Sequence, residues 1–324
     1  MANDTKPERL EVVPVALFVY KRASELIRTL DGLRGNDIPL LVVYSDGPKS
    51  SEDAAAVGEV RKVIRRIDWC ETRVFERPQN LGLGRSLRAG ITEILEGYDR
   101  IIVFEDDIVC IPGTYKYLCD ALHHFDTCDQ VMSVAAWTYP SLRPGVPEHE
   151  GYFDGRFACW GWGTWKRAWQ GMDVDAETLL KECRRQRKNV DRHGSDLAPS
   201  AEQELAKNTW AIRFTLLHIL RGGLCFHPPY SLVQNIGFGP EASNTQNTSV
   251  WTNVAVSAPG APVFSAPPRP VAETDGVAEL WRKALGVPER RSLGMRLRVA
   301  KWRLQLQFQT AMKRHLHKND KAGA

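Results

Sequence analysis

Over its first 136 residues the chain alternates short apolar runs with segments of helical periodicity, and no other feature constrains its fold as tightly. Val15–Tyr20, Leu40–Tyr44, Thr72–Phe75, Arg100–Phe104 and Val131–Ala135 read as strands. Between them, Ala23–Leu33, Ser51–Arg66, Leu83–Leu95 and Gly113–Phe125 read as helices. Leu26, Ile27, Leu30 and Leu33 share one helical face, as do Val57, Val60 and Ile64, and then Leu87, Ile91, Ile94 and Leu95. Arg100–Phe104 is apolar almost throughout, as a strand covered on both faces should be. This rhythm predicts a Rossmann-like α/β/α sandwich around a mostly parallel sheet. Such sheets bind ligands beyond the carboxyl ends of their strands, so the residues after each strand are the ones to inspect.

The rest of the chain is less regular. Phe153–Trp169 is rich in Gly and Trp, and Val174–Lys188 and Ala201–Arg221 read as helices, the second with Ser200 as N-cap and Gln203 three residues on. Ala258–Pro270 holds five prolines and reads as an extended linker. The expected organisation is a main α/β domain over 12–255, a Pro-rich linker over 256–273 and a basic helical tail over 274–324. With 324 residues, 43% of them hydrophobic, one sizeable core can be buried. The seven cysteines are odd in number and none are spaced C-x-x-C, which argues against a disulfide framework and a structural zinc site. Free thiols in a reducing cytoplasm are the corresponding expectation.

The net charge of +4 is unevenly placed. Residues 288–324 hold ten Lys and Arg against two acids, leaving the remainder of the chain acidic. That argues against a nucleic-acid enzyme, whose working face carries the positive charge. No apolar run reaches the length of a membrane span, and the N-terminus lacks the apolar core of a secretory signal. In the tail, Leu293, Leu297, Ala300, Leu304, Phe308 and Ala311 share one helical face, with Arg296, Arg298, Lys301 and Arg303 interleaved. Such a helix can dock on the body or on an anionic membrane. The expected location is cytoplasmic, with peripheral attachment to the inner membrane face as the second possibility.

The strand ends carry the chemistry. The fourth strand runs into Glu105-Asp106-Asp107, three adjacent acids that need a positive partner, for which a hard divalent cation, Mn2+ or Mg2+, is suited. The first strand ends in Tyr20-Lys21-Arg22, an aromatic ring and a guanidinium suited to a base and a phosphate. The second ends in Asp46-Gly47-Pro48, and the third leads through Asn80-Leu81-Gly82-Leu83-Gly84-Arg85 into a helix N-terminus able to face phosphate. Each fragment taken singly is also ordinary turn or cap chemistry.

Together, Tyr-x-Arg, Asp-Gly, Asn-Leu-Gly and Glu-Asp-Asp after successive strands resemble an inverting glycosyltransferase of the GT-A fold, over roughly residues 13–240. The likeness is to the N-acetylglucosaminyltransferase I group and to bacterial transferases of polysaccharide and lipopolysaccharide assembly. It implies Asp107 as metal ligand, Asp106 as support for ribose or metal, Asp46 for the base, and Asn80, Gly82 and Arg85 as a donor loop. It also implies a nucleotide-sugar donor, UDP by resemblance only, and a glycan or lipid-linked acceptor. Val131–Trp137 followed by Cys159-Trp160-Gly161-Trp162-Gly163-Thr164-Trp165 resembles the family's strand and Gly/Trp loop, with indole faces suited to stacking on sugars. Trp160, Gly161, Trp162 and Trp210 are therefore the expected acceptor platform, with packing in the core as the other reading.

The resemblance breaks at the general base. Where the family carries a Trp-Asp-Asp-Trp motif, this chain has Trp210-Ala211-Ile212-Arg213. Inversion needs a group to take the acceptor proton, and Glu202 and Glu204 on the same expected helix are the nearest candidates. Two alternatives follow: a catalytically inactive glycosyltransferase fold that binds carbohydrate or supports assembly, and a sugar-1-phosphate nucleotidyltransferase. The second normally carries a Gly-rich loop after strand one, where this chain has Val19-Tyr20-Lys21-Arg22-Ala23.

Overall fold

The structure is a computed structural model that describes residues 12–139, 144–147, 149–238, 256, 258–265 and 270–285. Its first half follows the expected alternation: β1 (Val15–Val19), α1 (Ala23–Arg34), β2 (Leu40–Ser45), α2 (Ser51–Ile64), β3 (Glu71–Glu76), α3 (Leu83–Gly97) and β4 (Arg100–Glu105). Next come β5 (Ile108–Cys110), α4 (Thr114–His124), β6 (Val131–Ala135), β7 (Tyr152–Asp154), β8 (Trp162–Trp165), α5 (Lys166–Trp169) and α6 (Ala176–Arg185). A 3-10 turn over Val190–His193 leads to α7 (Leu197–Lys207), α8 (Ala211–Arg221), β9 (Leu224–His227), β10 (Val233–Asn235) and α9 (Val277–Leu285).

Except at the exposed edge strand β3, the apolar runs are buried on both faces, and successive side chains point to opposite sides. Val15, Leu17 and Val19 of β1 enter one core, and Ala16 and Phe18 enter the other. The same alternation divides Leu41 and Val43 from Leu40, Val42 and Tyr44, and Ile102 and Phe104 from Ile101 and Val103. The eight-stranded sheet has the order β3-β2-β1-β4-β8-β6-β9-β7. β3, β2, β1 and β4 are mutually parallel, as are β6 and β9, whereas β8 runs antiparallel to both its neighbours and β7 to β9. The fold class is the mixed α/β sandwich with a mostly parallel sheet that the sequence implies.

Three local expectations are corrected. Part of the Gly- and Trp-rich stretch is β8, a central strand. Gly163 admits it there, since a Cβ at that position would stand 2.9 Å from Leu122 Cδ1. Ala201–Arg221 is two helices, because Asn208 is left-handed (φ 51°, ψ 39°) and ends α7. Ser200 is inside α7 and caps nothing. The helix starts after Asp196, with Pro199 in its first turn, where no backbone donor is needed.

The Pro-rich segment is strapped to the body where it is described. Ala261 N–H donates to Pro112 O at 2.8 Å, and the Phe264 ring meets Tyr117 edge-on at 5.7 Å. Val277 and Trp281 of α9 are buried, so this helix, expected in the tail, packs within the unit Met1–Gly286. The second unit, Val287–Ala324, lies outside the described residues, and with it the expected amphipathic tail. No helix among the described residues is long and apolar enough to cross a membrane.

Candidate active site

Parallel pairing of β1 with β4 brings Tyr20, Lys21 and Arg22 beside Glu105, Asp106 and Asp107. One nitrogen of Arg22, Nη2, donates to Asp106 Oδ1 at 2.5 Å and to Asp107 Oδ2 at 2.8 Å. Asp106 is further held by Tyr20 N–H on Oδ2 at 3.2 Å, and Thr29 Oγ1 donates to its carbonyl at 2.9 Å. Burial pushes the Asp106 carboxyl up to about 6, against the pull of Arg22. Burial opposes the charge of Arg22, but Asp106 and Asp107 outweigh it and hold the guanidinium above its ordinary value. Glu105 is half-buried. Its own burial, then Asp107 and Asp106, raise it to about 8, while Arg22 and the donating Trp210 indole pull the other way.

The far wall of this cluster comes from much later in the chain. β5 pairs antiparallel with β10, and Ile236 N–H donates to Asp107 O at 2.8 Å. The chain then passes so close that a Cβ on Gly237 would lie 2.0 Å from Asp107 Oδ2 and 2.7 Å from Arg22 Nη1. A side chain at 237 would displace the Asp107 carboxylate and the Arg22 guanidinium from their present positions. Nothing along the sequence assigns Gly237 a role, because its contact with Asp107 depends on the β5–β10 pairing.

Asp46 acts on the neighbouring loop. Its Oδ1 accepts from Gly47 N at 3.0 Å and Leu81 N at 2.9 Å, and its Oδ2 from Gly82 N at 2.9 Å. Asn80 Nδ2 donates to Gly47 O at 3.0 Å. Asp46, Asn80 and Gly82 are thus brought together, but as a zipper between two strand-end loops. Gly82 has φ +74°, and a Cβ there would stand 2.2 Å from Asn208 Nδ2, so Asn208, between α7 and α8, packs closely against the start of α3. Arg85 is exposed on that first turn. Tyr20 hydroxyl donates to Asp53 Oδ2 at 2.6 Å and accepts from Lys49 N–H at 3.2 Å. Its burial and the Asp53 bond raise it to about 12.

The expected bases and part of the expected platform fall elsewhere. Glu204 is 2% exposed and grips Arg213 in a fork, Nε to Oε1 at 2.9 Å and Nη2 to Oε2 at 3.1 Å, with Arg88 at 3.4 Å. It is held in a buried ion pair with two arginines. Glu202 faces Arg184 at 3.7 Å. Trp162 is fully buried and stacks on Trp210 at 5.3 Å, so neither indole presents a face to a sugar. Gly161 is buried with φ +60°, backed by Val233, Phe104 and Ala136. Trp160 alone of the four is half-buried, edge-on to Trp137 at 4.8 Å and to Phe238 at 5.7 Å.

The donor set suits a divalent cation. Asp106 and Asp107 offer hard oxygens, two of them held by Arg22, which a cation would displace, and Gly237 puts no side chain beside Asp107.

No protein-family profile matches the chain, and no curated protein matches it. Among solved structures it is similar to the mannosyltransferase PcManGT from Pyrobaculum calidifontis in complex with GDP-Man and Mn2+, at 16% identity and a TM-score of 0.36. That overlap covers 52% of this chain and 46% of the mannosyltransferase, less than half of the latter's length. It is also similar to a UDP-glucose pyrophosphorylase complexed with UDP-glucose, at 12% identity and a TM-score of 0.35, over 68% of this chain and 91% of that one. At these scores neither likeness says which nucleotide, sugar or acceptor this chain handles.

Proposed function

We propose that the protein is a metal-dependent inverting glycosyltransferase, moving a sugar from a nucleotide-sugar donor, UDP-linked by resemblance, to a glycan or lipid-linked acceptor in surface polysaccharide synthesis. The observation that carries this reading is the meeting of Asp106 and Asp107 with Arg22 at the carboxyl ends of β4 and β1, against the bare backbone of Gly237. Asp107, with Asp106 behind it, would hold Mn2+ or Mg2+, whose charge would stabilise the departing diphosphate. Arg22, released from the carboxylates, would turn to a donor phosphate. Tyr20, fixed through Asp53 and Lys49, would present its ring beside the base, and the Asp46 zipper would shape the loop carrying Asn80, Gly82 and Arg85. Trp160 remains the candidate for the acceptor side.

The same site supports a second reading, a carbohydrate-binding or assembly subunit of this fold without turnover. It is supported by the commitment of Glu204 to Arg213 and Arg88 in a buried ion pair. Calorimetry of UDP and GDP with and without Mn2+, on wild type and Asp107→Ala, tests the donor site. Metal-dependent binding lost in the variant supports it, and no binding of either nucleotide under any metal condition refutes it. Binding without donor hydrolysis or transfer across an acceptor panel would favour the second reading.

A further inference from the structure

Asp154, His193 and Glu273 come from three separate parts of the chain and place one ligand atom each within 4.8 Å of the others. Asp154 ends β7, His193 closes the 3-10 turn, and Glu273 lies in the extended segment before α9. His193 is 7% exposed. Its Nδ1 stands 3.2 Å from Glu273 Oε1 and 3.7 Å from Asp154 Oδ1. Neither approach is aligned as a hydrogen bond, and Nδ1 and Oε1 are both buried polar atoms with no hydrogen-bond partner. Leaving two such groups unsatisfied is costly, and a shared partner between them removes the cost.

We propose that these three residues form a zinc-type site that fastens the segment before α9 to the catalytic body. Tetrahedral coordination with bonds of ~2.1 Å sets ligand atoms ~3.4 Å apart, close to the two separations around Nδ1. One imidazole nitrogen with two carboxylate oxygens suits zinc and its transition-metal neighbours better than calcium or magnesium, which take oxygen ligands. The site needs no cysteine.

The surrounding groups hold the ligands as an outer shell does. Trp281 Nε1 donates to Asp154 Oδ2 at 2.6 Å, Arg156 N–H donates to Asp154 Oδ1 at 2.7 Å, and Arg192 pairs with Glu273 Oε2. Each carboxylate is thereby oriented with an oxygen toward Nδ1. Gly155 lets the imidazole in, since a Cβ there would lie 2.6 Å from His193 Cε1. The same region is tied by Thr274 N–H to Phe153 O at 3.0 Å and by Ser195 Oγ to Leu285 O at 2.8 Å. A bound cation would complete this junction between β7, the 3-10 turn and α9. The site shares no residue with the proposed donor site, so the two readings fail separately.

The test is Zn2+ titration of metal-stripped full-length Asp107→Ala, followed by calorimetry and thermal melting, against the same protein carrying Glu273→Gln or His193→Ala in addition. The expected result is one Zn2+ per chain and a raised Tm in Asp107→Ala. Glu273→Gln, an isosteric change at a half-buried residue, should weaken Zn2+ binding by at least ~10-fold and abolish the Tm rise. UDP binding with Mn2+ should survive Glu273→Gln when Asp107 is intact. Equal Zn2+ affinity with and without Glu273→Gln would overturn the proposal. So would absence of Zn2+ binding to Asp107→Ala, which would leave the cluster a histidine–carboxylate contact only.

Discussion

Arg22 Nη2 lies 2.8 Å from Asp107 Oδ2, joining the ends of two adjacent parallel strands through an ion pair that is mostly shielded from solvent. The arginine stands where a cation would be expected, so metal binding and Arg22 compete for the same oxygens. Arg22→Gln should therefore destabilise the metal-free protein by about 3 kcal/mol, because Asp106 and Asp107 are left uncompensated. Mn2+ should raise the Tm of the variant by more than it raises that of wild type. Equal Mn2+ shifts in the two proteins would show that Arg22 and the metal do not share the site.

Asp46 is predicted to act on the loop it closes. Asp46→Asn keeps the shape but replaces one acceptor oxygen with a donor, against three backbone N–H groups. A loss of about 2 kcal/mol is expected, together with weaker nucleotide binding as the 79–82 loop loosens. Urea unfolding and nucleotide calorimetry on the one variant measure both.

Glu204 and Glu202 should separate cleanly. Removing one partner of a buried pair costs about 3–5 kcal/mol, so Glu204→Ala should lower the Tm sharply. Glu202→Ala, at the more exposed pair with Arg184, should change stability by less than about 1 kcal/mol. With Glu202 facing Arg184, Glu202→Ala is expected to retain the wild-type pH–rate profile in a transfer assay, and a changed profile would assign Glu202 as the base.

Trp162 and Trp160 are expected to respond differently. Trp162→Ala opens a cavity in the core and should cost about 3–5 kcal/mol. Trp160→Phe should leave the Tm nearly unchanged and raise the KM for acceptor. An unaltered KM across acceptors would remove Trp160 from the acceptor side.

His218 sets a pH dependence of stability. Its Nδ1–H donates to Phe214 O at 2.7 Å, so Nε2 accepts from Ser133 Oγ at 2.9 Å. Burial lowers it from 6.5 to about 4. The unfolded chain then binds the proton more readily, so this contribution is complete above pH ~6.5 and is lost as pH falls toward 4. At its largest it amounts to about 3 kcal/mol. His218→Gln should reduce the slope of the stability profile between those pH values, measured by denaturant unfolding at each pH, with His193 and His227, also lowered by burial, keeping the rest. An unchanged slope would place the acid sensitivity in other groups.

β1, β2 and β4 were legible because each is a run buried on both faces, and a run such as Arg100–Phe104 needs no distant partner to be read; β3, an exposed edge strand, was legible from the alternation around it. The same locality makes the strand ends legible, since Arg22, Asp46, Asp106 and Asp107 each follow a run directly. β8 was not legible. Trp162-Gly163-Thr164-Trp165 has no run of its own, and its place between β4 and β6 depends on Gly163 fitting under Leu122. Nor was the break at Asn208, where the side chain is called to the start of α3, 127 residues away from Leu81.

By itself, the sequence determined the alternating architecture and which acids and which arginine gather at the carboxyl edge, because period and strand polarity are local properties of a chain. Only the tertiary structure decided what each polar group spends its charge on. Glu204 went to Arg213, Asp46 to the backbone of a neighbouring loop, Trp162 and Trp210 to the core, and Gly237 to the wall beside Asp107. Those outcomes depend on desolvation and close approach between residues far apart in the chain, which no spacing along it records.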